Sequence, residues 1–94
     1  MATYFMFGSY TEESTKKISA RRTSQTKEMI EKQGGKLTAA YALLGKKDLV
    51  LIVDLPSTEQ AIKTSVALSR MLGIGFTTAP ALSVETFDKL VEDL

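Results

Sequence analysis

The chain has 94 residues, 44% hydrophobic and 24% charged, and its 12 basic and 11 acidic side chains leave a net charge of +1. That length holds one core, read as a single domain over residues 1–94 that is marginal as a monomer; the composition excludes disorder, collagen-like repeats and coiled coil, and the small net charge gives no field to gather nucleic acid. With no cysteine and no histidine, disulfides, thiolate nucleophiles and the commonest metal ligands are excluded, so no metal and no cofactor is expected and any acid–base chemistry falls to Asp, Glu, Lys or Tyr.

Thr3 to Tyr10 alternates Thr3, Phe5, Phe7 and Ser9 on one face with Tyr4, Met6, Gly8 and Tyr10 on the other, which predicts a strand rich in aromatics and apolar on both sides. Residues 12 to 33 read as helix, opened by Glu12 and Glu13 and stopped by Gly34-Gly35. Its apolar stripe is thin, with Ile18, Met29 and Ile30 the sizeable members, so a break or irregular turn is expected near Ser19 to Thr23. Lys36–Leu44 and Asp48–Leu55 flank Gly45-Lys46-Lys47, the length and composition of a hairpin connection. The second of these strands carries Leu49-Val50-Leu51-Ile52-Val53, again apolar on both faces.

Ser57 and Gln60 stand at capping-box spacing, and the helix after them repeats Ala61, Ile62, Ser65, Leu68, Ser69 and Leu72 on one face before Gly73 ends it. Gly75 to Leu82 reads as a last strand, and Pro80, which cannot donate to a ladder, assigns it to a sheet edge. Val84 to Leu94 closes the chain as a short helix with Phe87, Leu90, Val91 and Leu94.

The order is β-α-β-β-α-β with a helical tail: an α+β, ferredoxin-like arrangement whose four-stranded antiparallel sheet runs 4-1-3-2. The doubly apolar runs fall on strands one and three, the central pair, and the proline on strand four, an edge. Both crossover helices cover one face, so the other is left open. An apolar strand without alternation is normally buried on both sides, and the expected cover is a second copy packed face to face: a homodimer. No apolar run approaches the roughly 20 residues that span a bilayer. The opening residues lack the pattern of a signal segment; no membrane partner and a cytoplasmic location are the default expectation.

The aromatic first strand ending in Gly8-Ser9-Tyr10-Thr11, the helix exit Gly34-Gly35-Lys36-Leu37, the hairpin Leu44-Gly45-Lys46-Lys47-Asp48-Leu49-Val50 and Val53-Asp54-Leu55-Pro56 together resemble the GYD-domain family of small bacterial and archaeal proteins. The resemblance covers nearly the whole chain and implies a dimeric α/β barrel of ferredoxin-like type. Gly45 and Asp48 match the family's namesake pattern, whereas Lys47 stands where its tyrosine is expected, so no role of that tyrosine transfers. The resemblance carries no established activity.

Individual motifs are read against plainer alternatives. Gly45, Lys46, Lys47 and Asp48 form either an anion-recognising tip or an ordinary turn in which Asp48 bonds a turn amide, the turn being favoured. Arg21 and Arg22, with Lys16 and Lys17, suit a solvated helix face better than a phosphate site. Tyr4, Tyr10 and Tyr41 serve packing at least as well as proton transfer. No EF-hand spacing supports a carboxylate metal site.

The leading functional reading is a homodimeric ligand-binding or assembly module, possible higher oligomers included, with a small anionic or aromatic metabolite held between each sheet and its own helices. Ser9, Tyr10, Arg22 and Asp48 are expected to line or rim that cleft, Arg22 as charge partner and Tyr10 as stacking wall. The alternative is a cofactor-independent enzyme of the monooxygenase-like or isomerase-like type, which rests on fold analogy. RNA binding is a third reading, opposed by the third strand, where Asp48 to Leu55 offers neither an aromatic nor a basic residue.

Overall fold

The two doubly apolar runs become the middle of a four-stranded antiparallel sheet. In the computed structural model, which spans residues 1–94, the elements follow as β1 (Ala2–Ser9), α1 (Glu12–Thr15), α2 (Ala20–Lys32), β2 (Lys36–Ala42), β3 (Leu49–Leu55), α3 (Thr58–Leu72), β4 (Gly75–Ala81) and α4 (Val84–Val91). The sheet order is β2-β3-β1-β4, the expected one, with Pro80 on edge strand β4 opposite Tyr4.

Strand register sorts the side chains into two layers, because residues paired across antiparallel strands share a face. Met6 sits between Leu51 and Thr78, and Tyr4 between Val53 and Pro80. These face α2 and α3 and build the core: Met6, Val53, Leu55, Ile30 and Leu68 are fully buried, with Ala61, Leu72 and Ile74 around them. On the opposite face Phe5 sits between Ile52 and Ala79, and Phe7 between Val50 and Thr77. No helix covers that layer.

The expected helix 12–33 is two helices. Thr11 and Ser14 close a reciprocal capping box around α1: the Thr11 hydroxyl accepts from the Ser14 amide at 3.0 Å, and the Ser14 hydroxyl from the Thr11 amide at 2.7 Å. One turn later the chain leaves helical geometry, and Ser19 restarts it in extended conformation, its hydroxyl accepting the Arg22 amide at 3.3 Å. The break thus falls at the start of the expected window, because a serine competes well for an N-cap and poorly for a helix interior.

At α3 only half of the expected capping box forms. The Ser57 hydroxyl accepts the Gln60 backbone amide at 3.2 Å, but the Gln60 side-chain oxygen Oε1 is buried without a partner instead of returning to the cap. Gly73 ends α3 in the left-handed region at φ 68°, its amide donating to the Ser69 carbonyl, a conformation that favours glycine. Gly35 serves a different need. A Cβ there would lie 2.5 Å from the Asp54 carbonyl oxygen, so the turn out of α2 passes over the end of β3 only because no side chain intervenes.

Candidate ligand cleft

The inward side of α2 carries Ser19, Arg22, Thr23 and Thr26 at helical spacing before Ile30 restores a bulky apolar group. Short side chains at the first half of the helix leave the layer under-filled. The result is an apolar cavity of about 70 Å³ between α2 and the sheet, walled by Leu37, Leu49, Leu51, Leu72 and Ile74 and capped by the exposed Ile18. Thr26 donates its hydroxyl back to the Arg22 carbonyl at 2.8 Å, which leaves its methyl group for the cavity. A cavity of about 150 Å³ holds benzene, so this one, as folded, admits a group the size of a branched aliphatic side chain and no complete aromatic metabolite.

Of the four residues expected to meet at the cleft, the structure brings two there. Tyr10 and Arg22 line it. Arg22 also borders the polar cleft next to it, with Glu13, Lys17 and Arg70, and its guanidinium donates to two helix-terminal carbonyls, Ser14 and Leu72, each at 2.8 Å. It ties α1, α2 and α3 together and places positive charge at the C-terminal ends of α1 and α3, where the helix dipole favours it. The structure thus gives Arg22 a scaffolding task that the solvated-face reading did not anticipate.

Asp48 does not line the cavity, nor does it bond a turn amide as expected. Its carboxylate accepts the Tyr10 amide at 2.8 Å, while its own amide donates to the Gly8 carbonyl at 2.9 Å and its carbonyl accepts the Leu43 amide at 2.8 Å. Asp48 therefore clamps the hairpin loop to the end of β1 and fixes the backbone of Tyr10. Ser9 points the other way: paired with Gly75, it belongs to the layer of Phe5 and Phe7. Lys47, at the position of the family tyrosine, donates to the Thr77 hydroxyl at 3.4 Å.

The apolar wall residues and the threonines of α2 were missed as site residues. Their signal was the polar inner stripe of the helix opposite the alternating Leu49 and Leu51. No group of three or more Asp or Glu side chains is placed to hold a metal ion, and no helix is long and apolar enough to cross a membrane.

The uncovered layer is the larger feature. Phe5, Phe7, Ile52 and Ala39 are half-buried there, Tyr41 is 59% exposed, and Val50 is buried by its neighbours alone. One end of this face is polar, where the Asp54 carboxylate accepts hydrogen bonds from the hydroxyls of Thr3 at 2.8 Å and Thr38 at 3.4 Å.

The model of the GYD-domain family matches residues 4–91, so the chain belongs to that family. No curated protein matches it in sequence. Two solved structures share its fold. The leucine response regulatory protein LrpA of Mycobacterium tuberculosis aligns with a TM-score of 0.64 at 13% identity, over 87% of this chain and 51% of that one. A second, a point-mutant structure, aligns with a TM-score of 0.66 at 12% identity, over 87% and 50%. The chain spans about half the length of these neighbours.

Proposed function

We propose that this GYD-domain chain is a homodimeric ligand-binding or assembly module, in which two copies pack their open sheet faces together and each keeps a small cavity between its sheet and α2. The observation that carries the reading is the uncovered layer of Phe5, Phe7, Ile52 and Tyr41: an apolar patch of this kind at the middle of a sheet marks an interaction surface, and a second copy of the same face is its simplest cover. The polar cluster of Asp54, Thr3 and Thr38 marks one end of that face and sets how two copies register.

For the cavity, the chemistry points to a small molecule with a compact aliphatic part and an anionic group. The walls are apolar, and the cationic Arg22 and the ring of Tyr10 stand at its edge. LrpA is named for a response to leucine, a molecule of that description, which supports the class without naming the ligand here. Ser9 and Asp48 act in this scheme as neighbours that hold the sheet end and Tyr10. A cofactor-independent enzyme remains the alternative; it would draw on Tyr, Arg or Asp chemistry, and Tyr10 and Arg22 are the residues of those types that line the cavity.

Native mass spectrometry after incubation with a panel of branched aliphatic and aromatic carboxylates reads both halves. Two chains carrying up to two bound molecules are expected, and Ile18→Trp, which fills the cavity mouth, should remove the adduct and keep the dimer. A single chain without adduct throughout would contradict the proposal.

A further inference from the structure

A second unpartnered surface is one side of the C-terminal helix. α4 has no buried residue: Val84, Phe87 and Leu90, with Leu94 beyond its end, are each at least half exposed, yet they and Val91 recur on one side of the helix. Its other side is acidic, with Glu85, Asp88, Glu92 and Asp93 against the single Lys89. The helix makes only marginal contact with the rest of its own chain, and the molecule is 50 Å long, about twice the ~23 Å that a seven-residue strand spans. An amphipathic helix of this kind is stable when its apolar side is packed.

The same chain carries a groove with the matching chemistry. Between α3 and the free edge of β4 lies a trough of about 280 Å³, walled by Ile62, Val66, Phe76 and Pro80; Ile62 is 61% exposed and Val66 46%. Its polar groups are spent on each other. Ser65 and Thr78 share a hydrogen bond at 2.7 Å, and Tyr4 and Thr58 one at 3.4 Å. A trough with satisfied hydroxyls and apolar walls asks for an apolar occupant. On α3, Lys63 stands one turn before Val66 without an ion-pair partner, opposite in sign to the acidic side of α4, and Arg70 follows one turn after Val66, at the rim of the polar cleft that also holds Glu13.

We infer that α4 of one copy lies in the α3–β4 groove of a second copy, with Phe87 and Leu90 between Ile62, Val66 and Pro80 and the acidic side toward Lys63 and Arg70. The exchange is reciprocal, as a two-fold axis requires. It rests on the self-association proposed above but uses a different surface, and it supplies area that the sheets lack. Three strands of seven residues and one of eight give a projected footprint of roughly 19 by 23 Å per copy, on the order of 900 Å² for the pair, below the ~1,200–2,000 Å² of a stable interface. Two arms make up the difference. The groove of each copy is thereby completed by its partner.

The chain has no cysteine, so introduced thiols report without background. Leu90→Cys on one tagged copy and Ile62→Cys on a differently tagged copy are mixed and mildly oxidised; bonding requires Cα atoms within about 7 Å. A mixed disulfide as the main product is expected, with little from Leu90→Cys paired with Lys27→Cys on α2. Adding Phe87→Glu should lower its yield at least roughly fivefold. All these positions are exposed, so the variants should fold, with circular dichroism as the check. Dimers that give no mixed disulfide would overturn the exchange while leaving the sheet interface standing. A chain carrying both cysteines that closes only on itself would show that α4 folds back into its own groove, and would overturn it equally.

Discussion

The two faces of the sheet are built from nearly the same residues and end in different states. Met6, Val53 and Leu55 on the helix side are fully buried, whereas Phe5, Phe7 and Ile52, their immediate neighbours along the same strands, remain half-exposed. Hydrophobicity does not separate them. What separates them is topology, since both crossovers lie on one side, and the open face has the composition of a core without its second layer. The covered face holds the single chain together, and the open face is the surface proposed above to meet a second copy.

Substitutions that treat the faces differently test this division. The largest effect is expected from Met6→Ala, which opens a cavity under α2 and α3 and costs about 2–5 kcal/mol. Chemical denaturation should show that loss at every protein concentration. Phe5→Ala, one residue away, should instead lower the midpoint by an amount that grows with concentration, as a lost dimer contact does. Equal, concentration-independent losses would erase the distinction.

Next comes Gly35→Ala. A methyl group 2.5 Å from the Asp54 carbonyl oxygen forces the α2–β2 turn away from the end of β3, at a cost of about 1–3 kcal/mol, measurable as a lower melting temperature with secondary structure retained. Arg22→Gln follows. It removes the charge and weakens the ties to the Ser14 and Leu72 carbonyls, costing about 1–2 kcal/mol, and hydrogen exchange should quicken first in α1 and the last turn of α3. A smaller loss of about 1 kcal/mol is expected from Ser19→Ala, which removes the N-cap of α2; helix fraying there should appear as faster exchange of the first α2 amides.

Much of the fold was legible because it rests on short-range patterns. The doubly apolar runs marked the central strands, Pro80 marked the edge, and the thin apolar stripe of residues 12–33 pointed to a break near Ser19 to Thr23, though not to two separate helices. Site geometry was less so. The alternation that places Ser9 with Phe5 and Phe7 was readable, yet Ser9 was grouped with Tyr10 because they are adjacent in sequence, although successive strand residues face opposite ways. The bond from Asp48 to the Tyr10 amide joins residues 38 apart, and the two bonds from Arg22 join three helices; no local pattern encodes such contacts. The amphipathic character of α4 was visible in Phe87, Leu90 and Val91, but not that its own body leaves it unpacked.

Whether the open sheet face joins two copies is decided by light scattering of the wild-type chain beside Ile52→Glu. Ile52 lies between Phe5 and Ala39 at the middle of that face, so a carboxylate there disturbs an interface and leaves the helix-side core intact. At micromolar concentration the wild type should scatter as twice 10.3 kDa, and the variant should keep its circular dichroism while falling to the mass of one chain. A wild-type chain that is a monodisperse monomer and binds no hydrophobic dye, or an Ile52→Glu variant that stays fully dimeric, would rule out a dimer held by its sheet faces.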